Sequence, residues 1–100
     1  MDKQAVYNFL TTIPKGKVVT YGQIALFLGS KNLSRSVGNI LHQNPDAEKY
    51  PCYKVVNAQG KLSCHYAFGG LAAQREKLQR DGIAVGNDRV DLSIYQYRWE

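Results

Sequence analysis

Apolar residues recur at helical intervals in several stretches of the 100-residue chain. Val6, Phe9, Leu10 and Ile13 define one face of a first helix, which the turn residues Pro14-Lys15-Gly16-Lys17 end near Ile13. Val18-Val19 predicts a short extended link. Thr20, with Gln23 three residues later, forms a capping box that opens a second helix carrying Ile24, Phe27 and Leu28 inward, and Gly29 is its stop. After the turn Ser30-Lys31-Asn32, Leu33, Val37, Ile40 and Leu41 line one face of a third helix, while Ser34, Arg35, Gly38 and Asn39 lie toward the other. Two short helices across a tight turn predict a helix-turn-helix. Asn44-Pro45-Asp46 starts a loop that runs to Pro51. Val55-Val56 reads as a strand, Asn57-Ala58-Gln59-Gly60 as a turn and Lys61-Leu62-Ser63 as the partner strand of a small hairpin. Gly69-Gly70 precedes a helix from Leu71 to Arg80, ended by Gly82. The alternation Val90, Leu92, Ile94, followed by Tyr95, Tyr97 and Trp99, predicts a tail that wraps back on the core. The expected fold class is mainly α with a small β hairpin, in one domain spanning residues 1–100.

Composition narrows this further. Hydrophobic side chains make up 44% of the residues, with seven tyrosines, which suits one compact core. No apolar stretch approaches the roughly 18 residues that span a bilayer, and Met1-Asp2-Lys3-Gln4 does not open a leader, so the expected location is cytoplasmic with no membrane partner. Two cysteines are too few for a disulfide framework, and both are expected as thiols; a Cys52–Cys64 bridge is the alternative. His42, Cys64 and His65 together with Cys52 are metal-capable types, but no pair shows ligand spacing, so no metal or other cofactor is expected. The net charge of +5 favours a polyanionic partner without requiring one.

The outward face of the third helix is small around its one cation, since Ser34 and Gly38 are four residues apart and flank Arg35. Such a face lets a helix lie close to a sugar-phosphate surface; close packing against another helix is the structural alternative. The segment Tyr50-Pro51-Cys52-Tyr53-Lys54-Val55-Val56 sets a thiol beside a proline, with a cation two residues on, and makes Cys52 a candidate nucleophile. Asn44 precedes Cys52 by eight positions, Arg35 precedes Asn44 by nine and Tyr21 precedes Arg35 by fourteen. Together these spacings resemble the O6-alkylguanine-DNA alkyltransferases, from about Val6 to about Gly82. Members of that family flip a damaged guanine out of the duplex and move its alkyl group onto the cysteine of a Pro-Cys-His-Arg-Val motif, which here is Pro-Cys-Tyr-Lys-Val.

The resemblance implies a winged helix-turn-helix-like alkyltransferase DNA-binding domain, a monomer acting on double-stranded DNA that contains O6-alkylguanine, approached from the minor groove. Cys52 is then the alkyl acceptor, and Asn44 ties the helix pair to the cysteine loop. Tyr53 takes the histidine position and Asp81 the glutamate position, so a phenol whose ordinary pKa is about 10 stands where the family has a base, with Lys54 as a compensating cation and a candidate DNA contact. Tyr21 donates to the guanine ring and crowds the phosphate, Arg35 fills the gap in the stack, and Ser34 and Gly38 allow close approach. Main-chain groups of Cys52 and Val55, and the backbone around Phe68, face the base. Taken singly, Tyr21 also reads as a core-edge tyrosine and Arg35 as a solvated cation. Two other functions fit parts of the pattern: a non-catalytic damage sensor resembling the alkyltransferase-like proteins, which recruit excision repair, and a winged-helix regulator with a redox-active thiol.

Overall fold

Asp2 turns its carboxylate back onto the Gln4 N–H at 3.0 Å, satisfying a donor that the first turn would otherwise leave unpaired. Helix α1 (Lys3–Leu10) follows and buries Val6, Tyr7, Phe9 and Leu10. The computed structural model describes residues 2–29, 34–46, 48–62 and 69–98, with Ser34 as backbone only. α1 ends earlier than its apolar spacing predicts. The hydroxyls of Thr11 and Thr12 bond the carbonyls of Asn8 and Phe9 at 2.7 Å each, and the N–H groups of Thr11, Thr12 and Ile13 bond three residues back, tightening the last turn before Pro14.

Strand β1 (Val19–Thr20) runs directly into α2 (Tyr21–Phe27) through the expected capping box: Gln23 N donates to Thr20 Oγ1 at 3.1 Å and Thr20 N to Gln23 Oε1 at 2.9 Å. Gly29 lies just beyond, at φ +107°. Ile24 is buried as expected, but Phe27 is 54% exposed and packs at the rim against Phe9, with 4.7 Å between ring centroids. α3 (Ser34–His42) buries Val37, Ile40 and Leu41 and packs on α2; the predicted turn at 30–32 and Leu33 lie outside the described residues.

A 3-10 turn over Cys52–Lys54 leads into β2 (Val55–Val56), which pairs with β1 in parallel, Val19 opposite Val55 and Thr20 opposite Val56. The chain is mostly helical with a small two-stranded sheet, as the sequence implies, but that sheet joins distant segments. Asn57–Gly60 does turn, with Gly60 N on Asn57 O at 2.9 Å, yet Lys61 pairs with Arg89 and Leu62 N bonds Asp88 O at 2.9 Å; Ser63 lies outside the described residues. The partner segment reverses at Asn87-Asp88, whose φ values of 54° and 56° and reciprocal Gly86–Arg89 hydrogen bonds form a two-residue hairpin turn.

α4 (Gly70–Arg80) stops at Gly82, where φ is +85°: Ile83 N returns to Leu78 O and Gly82 N to Gln79 O, both at 3.0 Å, closing a Schellman motif. The tail does wrap back, though as a short helix, α5 (Leu92–Tyr95), followed by an extended segment alongside Val18. Val18 N bonds Tyr95 O at 2.8 Å and Tyr97 N bonds Val18 O at 2.7 Å, while Gln23 reaches the same tail through Tyr97 O at 2.8 Å; Trp99 lies outside the described residues.

The strand pair divides the core. Val19 and Val55 join α1, α2 and α3 in one cluster that also holds Cys52, whereas Val18 and Val56 join Leu62, Leu78, Ile83 and Val90 in the other. This is the period-two alternation of a strand buried on both faces. No described helix is long and apolar enough to cross a membrane.

A Cβ at Gly60 (φ +82°) would overlap Val90 O, whereas one at Gly82 meets nothing within 4 Å. Gly82→Ala is therefore expected to cost only the left-handed backbone penalty of about 1–2 kcal/mol. Gly60→Ala adds a backbone clash and is expected to cost about 3 kcal/mol or more in urea unfolding.

Candidate functional site

The cysteine loop is fastened at its start by Asn44. This side chain is buried at the end of α3, where Nδ2 donates to Tyr50 O at 2.7 Å and Oδ1 accepts from Asp46 N at 3.0 Å. Tyr50 O also accepts the Cys52 N–H at 2.7 Å, so one carbonyl receives both the anchoring amide and the amide of the cysteine. Cys52 is 5% exposed, inside the cluster formed by α1, α2 and α3. Tyr7 lies in the same cluster; its hydroxyl donates to Ile40 O at 2.8 Å and its ring stacks on Tyr50 at 5.2 Å. Burial, and secondarily the electrostatic influence of the neighbouring Cys52, push the Tyr7 phenol upward in pKa.

Downstream of Cys52 the side chains diverge. Tyr53 is half-buried; burial, and secondarily the Asp81 carboxylate, raise its pKa, so its phenol stays neutral well beyond physiological pH. Lys54 corrects the expectation of a DNA contact. It is 5% exposed, and its ammonium bonds Ile13 O and Pro14 O, both at 3.3 Å, and pairs with Asp81 Oδ2 at 3.4 Å. The 3-10 turn explains the reversal, because it swings residue 54 toward the α1–β1 connection. The same Asp81 oxygen accepts the Gly16 N–H at 2.8 Å, so the carboxylate ties the cation and the loop after α1 to the end of α4.

Gln74 in α4 was not singled out from the sequence. It is 1% exposed, and its Nε2 donates to Tyr53 O at 3.0 Å and Val55 O at 3.1 Å. No motif marks it; only its place on the α4 face that meets the cysteine turn does.

On the helix pair, Tyr21 opens α2 and packs against the cluster that contains Cys52. A Cβ at Gly38 would lie 4.0 Å from Tyr21 Cε1, so the glycine lies beneath the edge of the tyrosine ring. Arg35 is exposed on the first turn of α3. The side chain of Ser34, with Cys64, His65 and Phe68, lies outside the described residues, and the Cys52–Cys64 alternative lies there with Cys64. Among the described residues no three metal-ligating side chains gather.

Residues 2–83 match the family described as 6-O-methylguanine DNA methyltransferase, DNA binding domain. The chain is 38% identical over 92 residues to a bifunctional methyltransferase/endonuclease of Picrophilus torridus, covering 92% of this chain but spanning only 30% of that protein. It is 36% identical over 95 residues to a DNA base-flipping protein of Vibrio parahaemolyticus, covering 95% of this chain and 92% of that one. Among solved structures, Schizosaccharomyces pombe Atl1 in complex with damaged DNA containing O6-carboxymethylguanine aligns with a TM-score of 0.84 at 28% identity, over 96% of this chain and 94% of the other.

The buried ion pair makes Lys54→Met and Asp81→Leu each destabilising by about 3–5 kcal/mol, because each strands a charge. The double variant is expected to recover more than half of the summed loss in a double-mutant cycle read by urea unfolding. Since the folded pKa of Tyr53 lies above the ordinary 10.0, the protein binds that proton more tightly folded than unfolded. The resulting stability is complete below pH 10.0 and is lost as pH rises through the folded value. Tyr53→Phe is expected to flatten that alkaline decline in pH-dependent melting curves.

Proposed function

Because the chain belongs to the 6-O-methylguanine DNA methyltransferase family through its DNA-binding domain, we propose that it binds double-stranded DNA at O6-alkylguanine from the minor groove, turns the lesion out of the stack and accepts the alkyl group on Cys52. It acts as a monomeric cytoplasmic protein, with residues 1–100 as one domain. The observation that carries this reading is the Asn44 bond to Tyr50 O at 2.7 Å, which fastens the loop of Cys52 directly to the end of the helix that bears Arg35.

In the proposed reaction the Cys52 sulfur forms a bond to the alkyl carbon as the bond from that carbon to O6 breaks. The electron pair stays with the guanine, which takes up a proton, and in this reading the Tyr21 hydroxyl donates to the ring. Extrusion costs a few kcal/mol, and Arg35 entering the vacated space offsets part of it. Gly38 keeps that face of α3 low, and peptide groups of Cys52 and Val55 meet the base edge. The acceptor is regenerated by nothing in this chemistry, so one molecule performs one transfer.

A second reading has a specific support: the Lys54 ammonium is engaged by two carbonyls and Asp81, and Tyr53 is held as a neutral phenol, so neither supplies the charge that makes a thiol ionise. On that reading the protein binds the lesion and signals to excision repair without transfer. The similarity to the base-flipping protein and to Atl1, each along more than nine-tenths of its length, agrees with it.

Intact mass after incubation with an O6-methylguanine oligonucleotide is expected to show one added methyl on Cys52, and Cys52→Ala should bind the oligonucleotide without gaining mass. Unchanged mass with tight lesion binding selects the sensor reading. Arg35→Ala is expected to weaken binding to a lesion duplex by about tenfold and to single-stranded DNA much less, since a single strand carries little extrusion cost; equal losses would reduce Arg35 to an electrostatic contact.

A further inference from the structure

Gln74 is more completely buried than any other polar side chain among the described residues, at 1% exposure. An amide removed from water costs free energy unless its donors are used, and Nε2 uses both of its hydrogens on the cysteine segment. The acceptors are Tyr53 O at 3.0 Å and Val55 O at 3.1 Å, one and three residues beyond Cys52. One planar group therefore holds two carbonyls on either side of Lys54 and fixes the tilt of the peptide planes that follow the thiol. Asn44 does the same for Tyr50 O on the other side of Cys52. The cysteine is thus suspended between two amide clamps, one from α3 and one from α4.

We propose that Gln74 is the positioning residue that sets the geometry of the cysteine turn and, through it, the selectivity for the alkylated base. The inference rests on the reading that peptide groups of Cys52 and Val55 face the extruded guanine. A carbonyl has two lone pairs, so Val55 O can accept from Gln74 and still present an acceptor to a base, in a direction that the clamp determines. Without the clamp, both carbonyls are left to find other donors, and the turn samples orientations in which the base-facing edge is misaligned.

Selectivity is tested in a Cys52→Ala background, as the ratio of affinities for an O6-methylguanine duplex and the same duplex unmodified. Gln74→Leu keeps the volume and removes both donors, and should lower that ratio by about tenfold, the order expected for two lost neutral hydrogen bonds. Gln74→Glu places an acceptor against two carbonyls. Its ratio should fall further at neutral pH and recover as pH is lowered and the acid regains a donor, a dependence that a packing role would not produce. In the protein with Cys52 present, alkylation of the thiol by iodoacetamide should speed up severalfold in Gln74→Leu, with no DNA involved. The proposal is overturned by equal losses on both duplexes, by an unaltered thiol rate, or by a Gln74→Glu ratio that ignores pH. If Gln74→Leu does not fold, the Gln74→Glu series decides alone. Equal binding of both duplexes before Gln74 is altered would instead sink the proposed function, and the iodoacetamide rate would then decide whether Gln74 positions the turn.

Discussion

Four residues in parallel register, Val19 with Val55 and Thr20 with Val56, determine where everything else sits. Parallel pairing brings together segments that no short loop can join. It also divides the core, because alternate residues of each strand face opposite ways. A slip by one position would move Val55 out of the cluster that contains Cys52 and bring Val56 into it, rotating the preceding 3-10 turn with it. The thiol is buried among α1, α2 and α3 because the register allows no other side.

Around this pair the molecule uses buried polar groups as fasteners. Asn44, Gln74 and the Lys54–Asp81 pair each link the cysteine segment to a different element: the end of α3, the middle of α4, and the connection after α1. Each is costly if left half-made and directional when complete, which is how a short, irregular loop comes to have one conformation. The arrangement has a chemical consequence. The cation nearest the thiol in sequence is committed to holding the loop, and the phenol beside it is kept neutral, so neither of these two side chains supplies the charge that would favour a thiolate at Cys52.

The helix pair shows the same economy. α2 is short, and its start is stabilised by the capping box of Thr20 and Gln23, whose amide also receives the tail through Gln96 Nε2 at 2.8 Å and reaches Tyr97 O. Tyr21 is held at the first position of that helix, above the space that Gly38 leaves open. Segments far apart in the chain thus converge on the residue that is proposed to meet the lesion.

Local chemistry made much of this legible in the sequence: the capping box, the stops at Gly29 and Gly82, the helical faces of Val37, Ile40 and Leu41, and the spacing of Tyr21, Arg35, Asn44 and Cys52 all depend on residues a few positions apart or on one ordered pattern. The Asn87-Asp88 turn carried a signal of the same kind, a Gly-Asn-Asp run, although nothing nearby marked its flanks as paired. Tertiary structure alone decided the rest. That β2 pairs with β1 instead of with Lys61-Leu62, that Lys54 turns inward to Asp81, and that Gln74 clamps Tyr53 and Val55 are contacts across 19 or more residues. A lysine or a glutamine has the same local preferences exposed or buried, and only the assembled core supplies the carbonyls and the carboxylate that make burial favourable.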